Sequence, residues 1–424
     1  MAGATYLSAR ILGTWELYLL AFSFLAAVLV AWLLVRTIGR KLTATRTLQP
    51  AQPTAGQALT VTYRVRNGSQ LPGLQVVLPD ATGDLGAPPG DIAFPSLGSF
   101  QERATASPPL SAPRGIHHLP ALLAVAEDPL GLIRLRRRVA EPLDVTVYPH
   151  LVDLDSCALF ADLGTHRGLG PRGVARLGAT EFRGIRAHQP GEPLNHIDWK
   201  ATAKTGNLMI REMDDPDSGD VAVVVDGTAA FVAGEGATTS FELAVQAGGS
   251  VADYVLSAGR SVNLLLHDGR WQRASLAPDI SGRRRLLDAL AGVRPNARAP
   301  LSASLLKLRD GGGRLASVRT LVLVSLSLDR ELVRAVLALH RQGLRVSLIH
   351  IDADSFAAAA VARGAAAPRA AHRDGRDDGD GGAPDLALAL AAAGVVCLSV
   401  RAGDDLRASL SFTPAGRVLA ERPL

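Results

Sequence analysis

From Leu17 to Val35 the chain reads LYLLAFSFLAAVLVAWLLV, with no charged residue in the run. As a helix this stretch spans about 28 Å, close to the hydrocarbon thickness of a bilayer. It has no polar face, so a helix lying half-buried on a soluble domain is excluded. Trp15 and Tyr18 at one end and Trp32 near the other fit interfacial anchors. Arg36, Arg40, Lys41 and Arg46 come directly after the run. A cleaved signal peptide ends at small residues instead, and the basic flank places the large C-terminal part in the cytoplasm. The expectation is a single-pass protein of the cell membrane, with residues 1–43 as its anchor region.

Between residues 44 and 150 the pattern changes to short runs of period two, broken by Pro and Gly. Leu59–Arg66 (LTVTYRVR) and Asp144–Tyr148 (DVTVY) alternate, and Asn67-Gly68 follows the first as a turn. Leu74–Leu78 and Leu119–Glu127 add further strands. The spacing predicts a small antiparallel β-sandwich, immunoglobulin-like in size. Asp128-Pro129-Leu130-Gly131 reads as a turn, with Pro fixing φ and Gly free to take a positive value. His117 and His118 are adjacent in a strand and so face opposite ways, which keeps them from sharing a metal.

Residues 151–219 form a charged central module. A strand is expected over Glu181–His188, a turn over Gln189–Pro193, a short helix over His196–Ala203 and a strand over Leu208–Glu212. From residue 220 to 424 strands and helices alternate. The strands are Val221–Asp226, Ser261–Asp268 with a partner at Trp271–Leu276, Thr320–Ser327, Leu344–Asp352 and Val395–Val400. The helices are Ser240–Leu256, Arg283–Leu290, Arg330–His340 and Leu386–Ala393. Apolar strands alternating with helices predict a mainly parallel sheet covered on both faces. The Ala-, Arg-, Asp- and Gly-rich stretch 357–384 reads as a mobile low-complexity loop.

Composition narrows the function. A net charge of +5 over 424 residues, with few aromatics and no long basic run, does not make a nucleic-acid platform. The two cysteines, Cys157 and Cys397, rule out a disulfide framework and a cysteine zinc site. Gly168-x-Gly170-x-x-Gly173 matches a dinucleotide fingerprint by letter, but Pro171 lies inside it and no strand leads into it. No G-x-S-x-G, H-E-x-x-H or P-loop motif occurs.

The central module carries Glu181-Phe182, Arg186, Pro190-Gly191-Glu192, Ile197-Asp198-Trp199-Lys200-Ala201-Thr202-Ala203-Lys204 and Met209-x-Arg211-Glu212. This pattern resembles the signature of the bacterial family called domain of unknown function 58. The order of parts is similar too: membrane helix, β region, signature, α/β region. Two departures stand out, Glu192 in place of the usual Asp and Asn195-His196 ahead of Ile-Asp-Trp. The resemblance implies a von Willebrand factor A-like C-terminal domain. In such domains the first strand ends in an Asp-x-Ser-x-Ser loop that holds Mg²⁺ through oxygen. Here Asp226 and Thr228 keep the first two positions, but Ala230 replaces the second hydroxyl. Thr238 or Thr239, and Ser325 or Asp329 at the end of a later strand, are candidates for further oxygen ligands. The plainer reading is Asp226 accepting from backbone N–H groups at the sheet end.

The leading functional expectation is a non-catalytic, membrane-anchored interaction or scaffold protein. It has no resident cofactor, since the Mg²⁺ loop is depleted. The resemblance implies a MoxR-like AAA+ ATPase as protein partner and an envelope-related process. Glu181, Arg186, Gly191, Glu192, Asp198, Trp199, Lys200 and Arg211 would serve structure or binding. The alternative is a hydrolase using Glu181, Glu192 and Asp198.

Overall fold

In the computed structural model the described residues are 2–71, 74–79, 85, 91–128, 131–160, 181–187, 199–206, 208–214, 221–305, 318–363 and 383–411. The chain divides into two compact units, Met1–Tyr148 and Pro149–Leu424. The expected anchor and β-rich regions fall in the first unit. The central module and the α/β region share the second.

The first unit opens with the helix Ala2–Leu12, which the sequence pattern did not flag. It turns at Gly13, with φ of 66°, and packs beside the long helix Trp15–Arg40. Tyr6 and Tyr18 meet edge to face across the pair. The long helix is apolar and long enough to cross a membrane. Leu19, Phe22, Leu25, Leu29 and Leu33 are exposed along it. Its last turns behave differently: Val35 and Ile38 are each 1% exposed and belong to the core of the β-rich part. Strand β1 (Leu42–Gln49) follows the helix cap directly, so the β region begins inside the expected anchor segment.

Three antiparallel sheets enclose that core. One is ordered β1, β2 (Ala58–Asn67), β5 (Glu102–Ala106), with β6 (Leu110–Ser111) also on β2. Another is ordered β4 (Ile92–Leu97), β3 (Leu74–Leu78), β8 (Leu122–Glu127), β9 (Arg134–Ala140). The third pairs β10 (Leu143–Val147) with β7 (Gly115–Leu119). On β2, Leu59, Val61, Tyr63 and Val65 are all buried and the residues between them point outward, as the period of two requires. The stretch read as one strand over Leu119–Glu127 is two strands in different sheets. Pro120 lies between them and has no N–H to continue a ladder. Asn67-Gly68 ends β2 tightly. The Asn67 amide donates to the carbonyls of Leu71 and Gly98 and its oxygen accepts from Ser69. A Cβ on Gly68 would stand 2.9 Å from the Lys41 carbonyl oxygen, so this residue must be glycine for the loop to meet the helix end.

In the second unit, β11 (Glu181–Ala187) and β12 (Met209–Asp214) form an antiparallel pair, the helix Trp199–Thr205 precedes β12, and β14 (Gly234–Glu235) and β15 (Thr238–Thr239) form a short antiparallel pair further on. The main sheet has the order β17 (Gln272–Leu276), β16 (Val262–His267), β13 (Val221–Asp226), β18 (Thr320–Ser325), β19 (Arg345–Ile351), β20 (Val396–Val400). All neighbours are parallel except β17, which runs antiparallel to β16. Val221, Val223 and Val225 join one core with the helices Ser240–Ser257 and Ile280–Gly292. Ala222 and Val224 join the opposite core with Leu301–Leu305 and Arg330–Arg341. Helices on both faces of a mostly parallel sheet give the von Willebrand A-like architecture expected for this half. One expectation needs correcting. The stretch 357–384 is not all loop, because the helix Ala353–Ala362 covers its start and Ala383–Ala392 reaches its end. Phe356 and Ala360 are buried, and alanine is the strongest helix former. Residues 364–382 lie outside the described set.

Candidate functional site

Asp226 ends β13 at the centre of the sheet, where the C-terminal edges of the parallel strands β16 and β18 flank it. Sites in such sheets gather at this edge. The side chain is 0% exposed. Its Oδ1 accepts from the Thr228 backbone N–H at 3.0 Å and from Thr228 Oγ1 at 2.6 Å. Its Oδ2 accepts from the Leu326 N–H at 3.3 Å and from Ser325 Oγ at 3.4 Å. His267 ends the neighbouring strand, in register with Asp226, and brings Nδ1 to 3.4 Å from Oδ1. The His267 ring lies against Trp271, centroids 4.8 Å apart.

The loop leaving β13 is fixed from both sides. Ala229 N–H donates to the Ala297 carbonyl and Ala297 N–H to the Gly227 carbonyl. A Cβ on Gly227 would stand 2.3 Å from the His267 carbonyl oxygen, so the residue after Asp226 has to be glycine. Asp226, Thr228 and Ser325 are all buried.

These donors fit a Mg²⁺ site poorly. Mg²⁺ asks for near-octahedral oxygen and keeps several waters. Here both oxygens of Asp226 already accept from protein donors, and position 230 supplies no hydroxyl. Two of the oxygens in prospect are engaged as helix caps. Thr239 accepts from Glu242 N–H, and Asp329 accepts from Leu332 N–H at 2.7 Å. Thr238 donates to the Glu235 carbonyl. Only Ser325 joins Asp226 and Thr228. The arrangement is a hydrogen-bond hub that ties β13 to β16 and to β18.

The signature residues are distributed differently. Gly191, Glu192 and Asp198 lie outside the described residues. Glu181 and Arg186 fall on β11 and Arg211 on β12, where the pairing sets Ile185 opposite Arg211 and Glu181 opposite Asp214. Trp199 and Lys200 are exposed in the first turn of the short helix. That helix closes at Gly206, whose φ is 74°, and Thr202 Oγ1 accepts from the Met209 N–H. His118 pairs with Asp144 at 2.6 Å, while His117 reaches the Pro113 carbonyl, so the two histidines do serve separate faces. Burial pushes the Cys157 thiol up to about 11, against a smaller lowering from a hydrogen bond with the Leu159 backbone. It also pushes Cys397 to about 11. Neither thiol is a thiolate nucleophile at neutral pH.

The strand order, the antiparallel edge strand and the Asp-Gly-Thr loop define a segment that can be compared with known proteins. Residues 184–354 match the family described as "Protein of unknown function DUF58". The matched segment includes Arg186, Arg211, Asp226 and Thr228, while Glu181 precedes it. The "Uncharacterized protein YeaD" of Bacillus subtilis (strain 168) is 27% identical over 277 residues, 62% of this chain and 65% of that relative. The alignment therefore spans just under two thirds of the relative's length. Among solved structures, the SpRpn10 VWA domain matches with a TM-score of 0.29 and 14% identity, over 45% of this chain and 91% of that one. A second match is an aerotolerance-related membrane protein from Bacteroides fragilis NCTC 9343, solved with multiple mutations to serines. It has a TM-score of 0.29 and 12% identity, over 45% of this chain and 94% of that chain.

Sequence reasoning found Asp226 and Thr228 but missed His267. A histidine at the end of a strand carries no signal by itself. Only the parallel register of β16 with β13 brings it to the carboxylate.

Proposed function

We propose that this chain is a membrane-anchored, non-catalytic interaction protein. In this reading the helix Trp15–Arg40 anchors it, both folded units lie in the cytoplasm, and a MoxR-like AAA+ ATPase is the partner. One observation carries the reading. The long helix exposes most of its large apolar residues up to Leu33 and then buries Val35 and Ile38 in a folded core. A helix whose end is part of a domain holds that domain at the bilayer surface. A removable leader would strip two core residues from it.

Two features favour binding over chemistry. The carboxylate at the centre of the sheet is saturated by protein donors, and both thiols stay protonated at neutral pH. The test is affinity purification of the tagged full chain from native membranes in mild detergent. An AAA+ ATPase is expected to be retained in stoichiometric amount. A preparation that extracts without detergent defeats the anchor, and one that retains no ATPase defeats the partner.

A further inference from the structure

Strand β9 carries the sequence Arg134-Leu135-Arg136-Arg137-Arg138 at the edge of its sheet, and all five residues are exposed. The alternation of the strand gives them two roles. Arg137 turns to the membrane helix, where its Nη1 donates to the Gly39 carbonyl at 2.5 Å. Leu135 lies on the same side, and a Cβ on Gly39 would stand 3.1 Å from its Cδ2. Arg134, Arg136 and Arg138 form the outer row. Arg134 pairs with Glu127 at 3.0 Å and Arg138 pairs with Glu141. Both arginines remain more than half exposed.

The position of this row matters more than its charge alone. The long helix leaves its lipid-exposed stretch between Leu33 and Val35. From Val35 to Gly39 the axis advances about 6 Å. The headgroup layer on each side of the hydrocarbon is about 5–7 Å thick. Strand β9 therefore meets the helix at headgroup depth. Arg36, Arg40 and Lys41 are exposed at the same level, with Arg36 over the Trp32 ring at 5.0 Å. Leu132, 50% exposed, and Leu123, also exposed, flank the arginine row. A basic row with exposed leucines beside a membrane helix has the chemistry of an interface that takes up anionic headgroups.

We propose that the outer face of β9 docks on the bilayer and binds anionic phospholipid headgroups, with Leu132 dipping into the headgroup region. The proposal rests on the reading of Trp15–Arg40 as a membrane anchor. Lipid contact on this face fixes the β-rich unit against the surface instead of leaving it to swing on the helix.

The test uses the full chain in nanodiscs of phosphatidylcholine alone and in discs containing phosphatidylglycerol, with amide hydrogen exchange read over residues 132–140. Exchange is expected to slow about tenfold in the anionic discs and to recover in high salt. The slowing should vanish in R134Q/R136Q/R138Q, a variant that still enters discs. Should the triple variant misfold, R136Q alone is expected to lose part of the effect. Equal exchange in the two kinds of disc, with the chain incorporated in both, overturns the lipid face and leaves the anchor standing. So does equal slowing when inorganic phosphate is added to the neutral discs. A chain that does not enter discs at all removes the anchor and this proposal together.

Discussion

Asp226 is the residue on which most depends, because its two oxygens satisfy two buried backbone N–H groups and two hydroxyls. Replacing it by alanine strands the Thr228 and Leu326 N–H groups, while the two hydroxyls keep the Ala299 and Ser327 carbonyls as acceptors. Asp226→Ala is expected to cost about 2–4 kcal/mol in chemical denaturation. Mg²⁺ is expected to leave the unfolding midpoint of the unmodified protein unchanged. A saturable rise with Mg²⁺ that disappears in Asp226→Ala would restore the cation-site reading. Cys157 makes a second prediction. Its folded pKa is raised above the unfolded value, so the unfolded chain ionises first as pH climbs. Its contribution to stability is therefore complete below about pH 9 and lost as pH rises toward 11. A pH series of urea midpoints on the Cys157→Ala variant should show a shallower fall across that window than the parent.

Among the elements, the helix Ser240–Ser257 shows how closely packing is set. Gly248 and Gly249 lie in its middle, where glycine lowers helix stability. A Cβ on Gly248 would stand 2.5 Å from Val225 Cγ2. The helix thus presses onto β13 just before Asp226. Gly248→Ala is expected to destabilise by about 1–3 kcal/mol, despite the better helix propensity of alanine. A gain in the thermal midpoint would show that the sheet yields to the added methyl. The end of the long helix is the other element under test. Ile38 is buried among the β-sheet residues of the first unit. Ile38→Ala should cost about 2–4 kcal/mol in that unit. The loss should appear as a lowered unfolding midpoint, and on the proposed anchor reading membrane association is retained, because the exposed apolar stretch is untouched. No change in the midpoint would mean that the helix end is dispensable to the β fold.

At the scale of the molecule, the sequence by itself determined the order of the main regions and the kind of element that dominates each. An uncharged run long enough for a bilayer, period-two strands and then apolar strands between helices all come from side-chain solvation and the two backbone periodicities. The Asp-Gly-Thr loop was legible for the same reason, as a short motif at the end of one strand. Tertiary structure decided whatever depends on contacts between distant segments. Leu42–Gln49 became a strand because β2 pairs along its whole length, not because its own pattern is strong. The helix at Ala353–Ala362 buries Phe356 against a core that the alanine-rich composition does not reveal. Arg137 met the helix end, and His267 met Asp226, only through sheet registers. Alternation tells which face of a strand is buried, but which distant strand lies beside it, and so which residues stand opposite, follows only once the sheet is assembled.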